Sequence, residues 1–360
     1  MRRRTFVGAV GGSAIAGVAG CLTRDDDNAG GGDGTLRIAT YETMVNGTNP
    51  AGTWLKEAFE AEHSDAELEW IVPNDGLNQY ITREQQNADY DVDIYFGLNV
   101  DDLVRIDDNL ETGSLLRELD IDRLDNAGRI RDELDMGDPH GRALTYDTGY
   151  ICLVYDETIV SEPETLDDLT APAYEDELLA QNAQQSDPGR AFLLWTIDAN
   201  SEDGYIDYWR KLETNGARIL ADWSESYSGA YMEGERSIVV SYSTDQVYAN
   251  EYDYDMSRHQ VAFPNDQGYA NPEGMGIFEG ATDVDLAYDF LDFALSSEAQ
   301  AEIAQRNVQF PAVAEEHVDL DEEFDRYAHR PPETVAFSYD ELQGNLGGWV
   351  ESWGREFAGQ

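Results

Sequence analysis

From Thr35 onward the apolar positions switch repeatedly between two spacings. Leu36-Arg37-Ile38-Ala39 alternates as a strand and stops at Thr40-Tyr41-Glu42, after which Trp54, Leu55, Ala58 and Phe59 recur at helical spacing. Leu68-Glu69-Trp70-Ile71-Val72 predicts a second strand, ended by Pro73-Asn74-Asp75-Gly76, and Leu77, Tyr80 and Ile81 mark the helix behind it. Residues 92–97 predict a third strand, with Asp101-Asp102-Leu103 opening the next helix. Strands that alternate with helices predict an α/β fold with a mostly parallel sheet. The strand ends at Tyr41, Asp75 and Asn99 would then lie along one edge. Asp75 and Gly76 are a candidate site pair, a carboxylate and a backbone N–H at a helix start. A plain N-cap explains Asp75 equally well.

The middle of the chain carries longer runs. Residues 142–156 are apolar and aromatic with Gly149 inside, long for one strand and suited to crossing between two halves of a molecule. Thr165-Leu166-Asp167-Asp168 has the form of a capping box and predicts a helix start. Ser186-Asp187-Pro188-Gly189 precedes an apolar helical run; Ser186 reads as an N-cap, and the free N–H groups there could also receive an anion such as phosphate. Residues 269–277 resemble a return crossing. Leu286, Ala287, Phe290, Leu291 and Ala294 share a helical face, Ser297-Glu298-Ala299-Gln300 opens a further helix, and Trp349 and Trp353 lie four apart as core positions of a last one.

The chemistry concentrates in residues 223–248. A helix-forming segment (224–234) leads through a turn to the apolar strand Ile238-Val239-Val240 and then a polar break over 241–245. Side chains at the end of such a strand face the crevice where ligands bind in open α/β sheets. Trp223, Tyr242 and Tyr248 offer aromatic faces, Ser241, Ser243 and Thr244 hydroxyls, and Asp245 a carboxylate. The cluster contains neither Cys nor His, so it suits holding a flat or cationic small molecule better than transforming one. Trp223 and the tyrosines read equally as half-buried packing aromatics.

Composition sharpens this. The 360 residues suffice for two ordinary domains. Acidic residues number 74 against 23 basic ones, a formal charge of -51, yet 41% of residues are hydrophobic, enough to build a core. Such a surface fits a high-salt environment, where the Debye length falls to roughly 3 Å near 1 M salt and self-repulsion weakens. Nucleic acid is excluded as a partner for want of a basic patch. Of the two cysteines, Cys152 sits in an apolar run and is expected to be a buried, inert thiol. Cys21 closes an N-terminal segment with Arg2-Arg3-Arg4, a Gly/Ala/Val-rich run and small residues before the cysteine. That pattern predicts an export signal over 1–21, of twin-arginine type, with Cys21 lipidated as an outer-surface anchor. The acidic, glycine-rich residues 22–34 read as a flexible tether.

Several runs together resemble the extracellular solute-binding proteins of ABC importers, most closely the thiamine-binding ones. They are residues 91–98 (DVDIYFGL), 147–156 (DTGYICLVYD), 193–195 with 209–212, 223–227 (WSESY), 241–244 (SYST) with Tyr248, 286–295, Phe310-Pro311 and 349–353 (WVESW), spanning nearly the whole mature chain in family order. The resemblance implies a type II periplasmic-binding-protein fold: two α/β lobes, 35–147 with 267–360 and 148–266, joined by crossing strands and closing on ligand by hinge bending. It implies thiamine or a thiamine phosphate as ligand, a permease and an ATPase as partners, a monomer, and no cofactor or metal. Carried over by motif, the ligand positions are Asp75, Gly76, Ser186, Trp223, Tyr242, Ser243, Thr244, Asp245 and Gln246, with Tyr41 and Tyr248 from aligned tyrosines. Family tryptophans shortly after Tyr41 and before Pro311 are replaced here, at 46–49 and Val308. The residues fit the ligand: a thiazolium over Trp or Tyr gains roughly 0.5–2 kcal/mol, and a desolvated Asp75 or Asp245 would supply counter-charge. Polyamine or ferric iron are rival ligands. A thiamine-related transferase is a third reading, but it would want a Cys or His in the cleft, and the five histidines fall outside these motifs.

Overall fold

The computed structural model describes residues 34–110 and 115–358. The export signal, Cys21 and all but the last residue of the acidic stretch lie outside the described residues. Among the described residues no helix is long and apolar enough to cross a membrane.

Eleven strands among the described residues share one sheet: β1 (Thr35–Ala39), β2 (Glu67–Ile71), β3 (Ile94–Leu98), β4 (Leu144–Tyr155), β5 (Leu178–Gln181), β6 (Arg218–Leu220), β7 (Ile238–Tyr242), β8 (Gln260–Ala262), β9 (Gln267–Ile277), β10 (Phe310–Pro311) and β11 (Glu333–Val335). The main path runs β2-β1-β3-β9-β4-β7-β5-β6. Both flanks are parallel, β2-β1-β3 on one side and β7-β5-β6 on the other. The centre is antiparallel: β3-β9, β9-β4 and β4-β7. The alternating pattern thus predicts the flanks, whereas the long apolar runs become the two central strands. β4 and β9 pair from Leu144–Met275 to Ile151–Tyr269 and are buried along most of their length.

Helices cover the sheet as the helical spacings require. Ala51–Glu62 and Val284–Ala294 bury Leu55, Phe59, Phe290 and Leu291 against Leu36, Ile38 and Phe96. Asp187–Asn200 and Tyr205–Thr214 bury Phe192, Trp195 and Trp209 on the other flank, where the last helix, Leu346–Phe357, sets Trp353 edge-on to Trp209 at 5.2 Å and 82°. Trp349 and Trp353 are both buried. Arg142, itself buried, holds Asp107 and Asp138 at 2.8 Å and so ties the start of β4 to the helix Val100–Asn109.

Three local expectations change. The box at Thr165 forms, with Asp168 N–H donating to its hydroxyl, but opens only a 3-10 turn, Leu166–Thr170. The cap ahead of Ser297–Arg306 is Ser296, whose hydroxyl accepts from Ala299 N–H. The segment after Trp223 winds as a π-helix, Ser224–Tyr231. That wider turn brings residues four apart almost into line, and Trp223, Tyr227 and Tyr231 stack in series at 4.6 and 5.9 Å.

Candidate functional site

One cavity of about 490 Å³ opens where the central strands meet both flanks. Five aromatics line it: Tyr41, Trp223, Tyr227, Tyr242 and Tyr248. Tyr41 follows the end of β1, Tyr242 ends β7, and Tyr248 lies on the short helix Asp245–Glu251 that follows. The strand β7 therefore runs on through Ser241 and Tyr242, where the polar residues predict a break; their partners Cys152 and Ile151 on β4 continue the ladder. Two glycines make room for the rings. A Cβ on Gly97 would stand 2.7 Å from the Tyr41 ring, at a φ of +120° that already favours glycine. A Cβ on Gly149 would stand 2.5 Å from the Tyr242 ring and 2.4 Å from the Gln309 side chain.

Trp223 is the fixed aromatic wall. Its indole N–H donates to the Ser241 hydroxyl at 3.0 Å, and Tyr227 stacks on it 10° from parallel. Beneath this wall Asp245, 6% exposed, meets His259 Nδ1 at 2.7 Å, and the Tyr227 hydroxyl lies 3.4 Å from the same nitrogen. A second acidic centre lies across the cavity. The Tyr41 and Tyr146 hydroxyls both donate to Glu273 Oε2, at 2.6 and 2.7 Å. Asn307 donates to the Tyr41 hydroxyl and to Asp147 Oδ2, while the other oxygen of Asp147 is buried without a partner. Burial holds Glu273 above the usual carboxyl range, against the pull of the two phenol hydrogen bonds. Burial, with Glu273 as its neighbour, pushes Asp147 well above that range. Burial, helped by these two carboxylates, raises the Tyr41 phenol too. Val308, beside Asn307, takes a φ of +54°, strained for a β-branched side chain.

The structure gathers Tyr41, Ser186, Trp223, Tyr242, Thr244, Asp245 and Tyr248 on this cavity. It does not bring Asp75, Gly76, Ser243 or Gln246 to the lining. Asp75 is exposed, and Gly76 supplies a turn at φ +49°. Ser243 is fully buried in the turn that follows β7, its N–H on the Tyr150 carbonyl of β4. Gln246 turns away to the His259 carbonyl and His329 Nε2. Ser186 occupies the N-cap position of Asp187–Asn200 without a side-chain capping bond. Gly189 serves packing: a Cβ there would lie 2.7 Å from the Gln181 carbonyl of β5.

Sequence reasoning missed Glu273, Asn307, Asp147 and His259. For Glu273 there was a signal, a lone carboxylate inside a strand of small and apolar residues. His259 carried none, since its partner Asp245 lies on another element. The acid that faces the aromatic wall is thus not alone. The segment in place of the first family tryptophan also lines the cavity, through Asn46, Gly47 and Thr48, as does Val308 in place of the second. Cys152 is buried in β4, and burial, then the nearby Asp245, raises its thiol well above the ordinary range.

Comparisons with known proteins agree with this architecture. The thiamine-binding periplasmic protein of Escherichia coli (strain K12) is 24% identical over 323 residues, 89% of this chain and 92% of that protein. A solved periplasmic thiamin binding protein superposes with a TM-score of 0.75 at 23% identity, over 89% of this chain and 95% of that one. The periplasmic binding protein AfuA from Actinobacillus pleuropneumoniae, solved with fructose-6-phosphate, gives 0.73 at 17% identity, over 91% and 100%. The shared fold is the type II fold of periplasmic binding proteins. Residues 105–333 match the family described as bacterial extracellular solute-binding protein, and this chain belongs to that family.

Proposed function

We propose that this protein captures thiamine outside the cell and delivers it to the permease and ATPase of an ABC importer. The observation that carries the reading is the pairing, in one cavity, of the stacked Trp223–Tyr227 wall with the carboxylates of Asp245 and Glu273. Thiamine joins a flat aminopyrimidine to a permanent thiazolium cation. The ring matches the wall, and the cation matches acids that water screens poorly. The E. coli relative's name supports the same ligand. A polyamine would use the carboxylates but leave the aromatic wall idle.

In this reading the protein binds without chemistry. The one cysteine among the described residues is a buried thiol, and His259 is engaged by Asp245 behind the wall. The flanks of the sheet form two lobes, 35–147 with 267–360 and 148–266, which close over ligand, the last helix reaching back to Trp209. Tyr41, Ser186, Trp223, Tyr242, Thr244, Asp245 and Tyr248 are the ligand residues. A twin-arginine signal exports the chain, lipidated Cys21 then anchors it as a monomer at the outer face of the membrane, and the acidic surface suits high salt. Calorimetric titration with thiamine and with spermidine in high salt tests the ligand. Thiamine is expected to bind and spermidine to bind far more weakly; the reverse order would refute the reading.

A further inference from the structure

Resting on that reading, we infer that His259 is a positioning residue for the bound cation: its ring N–H fixes how the Asp245 carboxylate is presented to a thiazolium. Asp245 is the first residue of the helix Asp245–Glu251 and lines the cavity, whereas His259 stands just ahead of β8 and does not. The two meet at 2.7 Å, Nδ1 to Oδ2, with Asp245 6% and His259 2% exposed. An ionised carboxylate only accepts, so Nδ1 carries the proton and donates. With Oδ2 held in this way, the carboxylate keeps one orientation at the cavity.

The imidazole is itself held from several sides. β8 pairs with β4 from Leu153–Ala262 to Tyr155–Gln260, which anchors the residue just before it to the sheet. The ring packs on Tyr254, 16° from parallel at 5.7 Å, and edge-on to Tyr231 at 6.3 Å. The His259 carbonyl accepts from the Gln246 side chain at 2.8 Å, a second tie to the helix that carries Asp245. Tyr227 completes the set: its hydroxyl lies 3.4 Å from Nδ1, and its ring stacks on Trp223 at 4.6 Å. Burial, then the charge of Asp245, holds the Tyr227 phenol well above its ordinary range, so it stays protonated and faces the carboxylate as a donor. The counter-charge and the aromatic wall therefore share one support. His259 is the member of it that touches the acid but not the cavity. A pair serving stability alone would act on every ligand alike, whereas one that orients a charge acts on cations.

The test is calorimetry on the whole chain in high salt with thiamine and with its neutral thiophene isostere, whose ring carries no charge. His259→Phe retains a flat ring against Tyr254 and Tyr231 but has no N–H. It is expected to weaken thiamine binding by about tenfold, the scale of a hydrogen bond to a charged group, and the isostere by less than about twofold. His259→Asn, whose amide N–H can stand where Nδ1–H stood, is expected to recover most of the loss. With Asp245→Asn in place, His259→Phe is expected to add nothing. Equal losses for both ligands, no loss for thiamine in the folded variant, or the same loss without the Asp245 carboxylate each overturns the positioning role and leaves the thiamine reading standing. Should His259→Phe fail to fold, nitrogen NMR of the unaltered protein decides. A proton on Nδ1 whose signal moves when thiamine is added supports the role; an unprotonated Nδ1, or a signal indifferent to thiamine, overturns it. Failure of the unaltered protein to bind thiamine overturns both the role and the reading beneath it.

Discussion

Trp223 is held on two sides, by the Ser241 hydroxyl at its N–H and by Tyr227 on its face. Its position is set before ligand arrives, so truncation should cost binding rather than folding. Trp223→Ala is expected to weaken thiamine binding by about tenfold, ~1.4 kcal/mol, within the range of a desolvated cation–π contact, with a cooperative unfolding transition retained; calorimetry and thermal unfolding measure the two. Glu273 and Asp147 make a different demand. Both carboxyls are raised in the folded protein, so the folded chain binds more protons than the unfolded chain above the ordinary carboxyl range of about 4. Their contribution to stability is therefore full below that range and is lost as pH rises through the folded values. Denaturant midpoints of the free protein are expected to fall over that window, and Asp147→Asn should flatten the fall. A bound cation reverses the preference by favouring the ionised pair. Thiamine binding should then release protons, seen as a dependence of the measured heat on buffer ionisation enthalpy that Glu273→Gln diminishes.

At the scale of elements, β4 is the strand that positions the site. It carries Tyr146 and Asp147 toward Glu273 of β9, and at Gly149 it leaves space for Tyr242 of β7. Gly149→Ala would press a methyl group into both Tyr242 and Gln309. The substitution is expected to destabilise by about 1–3 kcal/mol, as overpacking does, and to weaken ligand binding with it; urea unfolding and titration check the pair of effects. The same strand shows how far sequence patterns reach. Its run of apolar residues, long for one strand by its sequence, forms a single 12-residue strand, and burial on both faces leaves no alternation to read. The Ser241–Tyr242 end of β7 was misread as a break because polar side chains there face a cavity rather than solvent. The segment after Trp223 is legible as helical from its residues, but not its π winding, which the apolar spacing does not separate from an α-helix.

At the scale of the molecule the formal charge of -51 dominates. At low ionic strength the Debye length lengthens to about 10 Å at 0.1 M, and the carboxylates repel across the whole surface. The thermal midpoint is expected to drop markedly between about 1 M and 0.1 M salt. A midpoint indifferent to salt would mean that the acidic excess is locally compensated. The buried ion pairs of Arg142 and Arg190 should be far less affected than the surface, because solvent ions do not reach them.

By itself the sequence determined what is local or additive. Spacing of apolar residues predicts the α/β alternation, caps and turns mark element ends within one or two positions, and summed charge speaks for salt. Motif order along the chain carries the family resemblance. Only the tertiary structure decided which groups meet. Tyr41 and Glu273 lie 232 residues apart and share one hydrogen bond, and Asp245 finds His259 on a different element. It also left Asp75, Gly76, Ser243 and Gln246 off the lining and supplied Glu273 and Asp147 as further buried acids. The reason is physical: helix and strand periods are set by neighbours a few residues away. Burial, charge pairing and the shape of a cavity come from contacts that no short window of the chain contains.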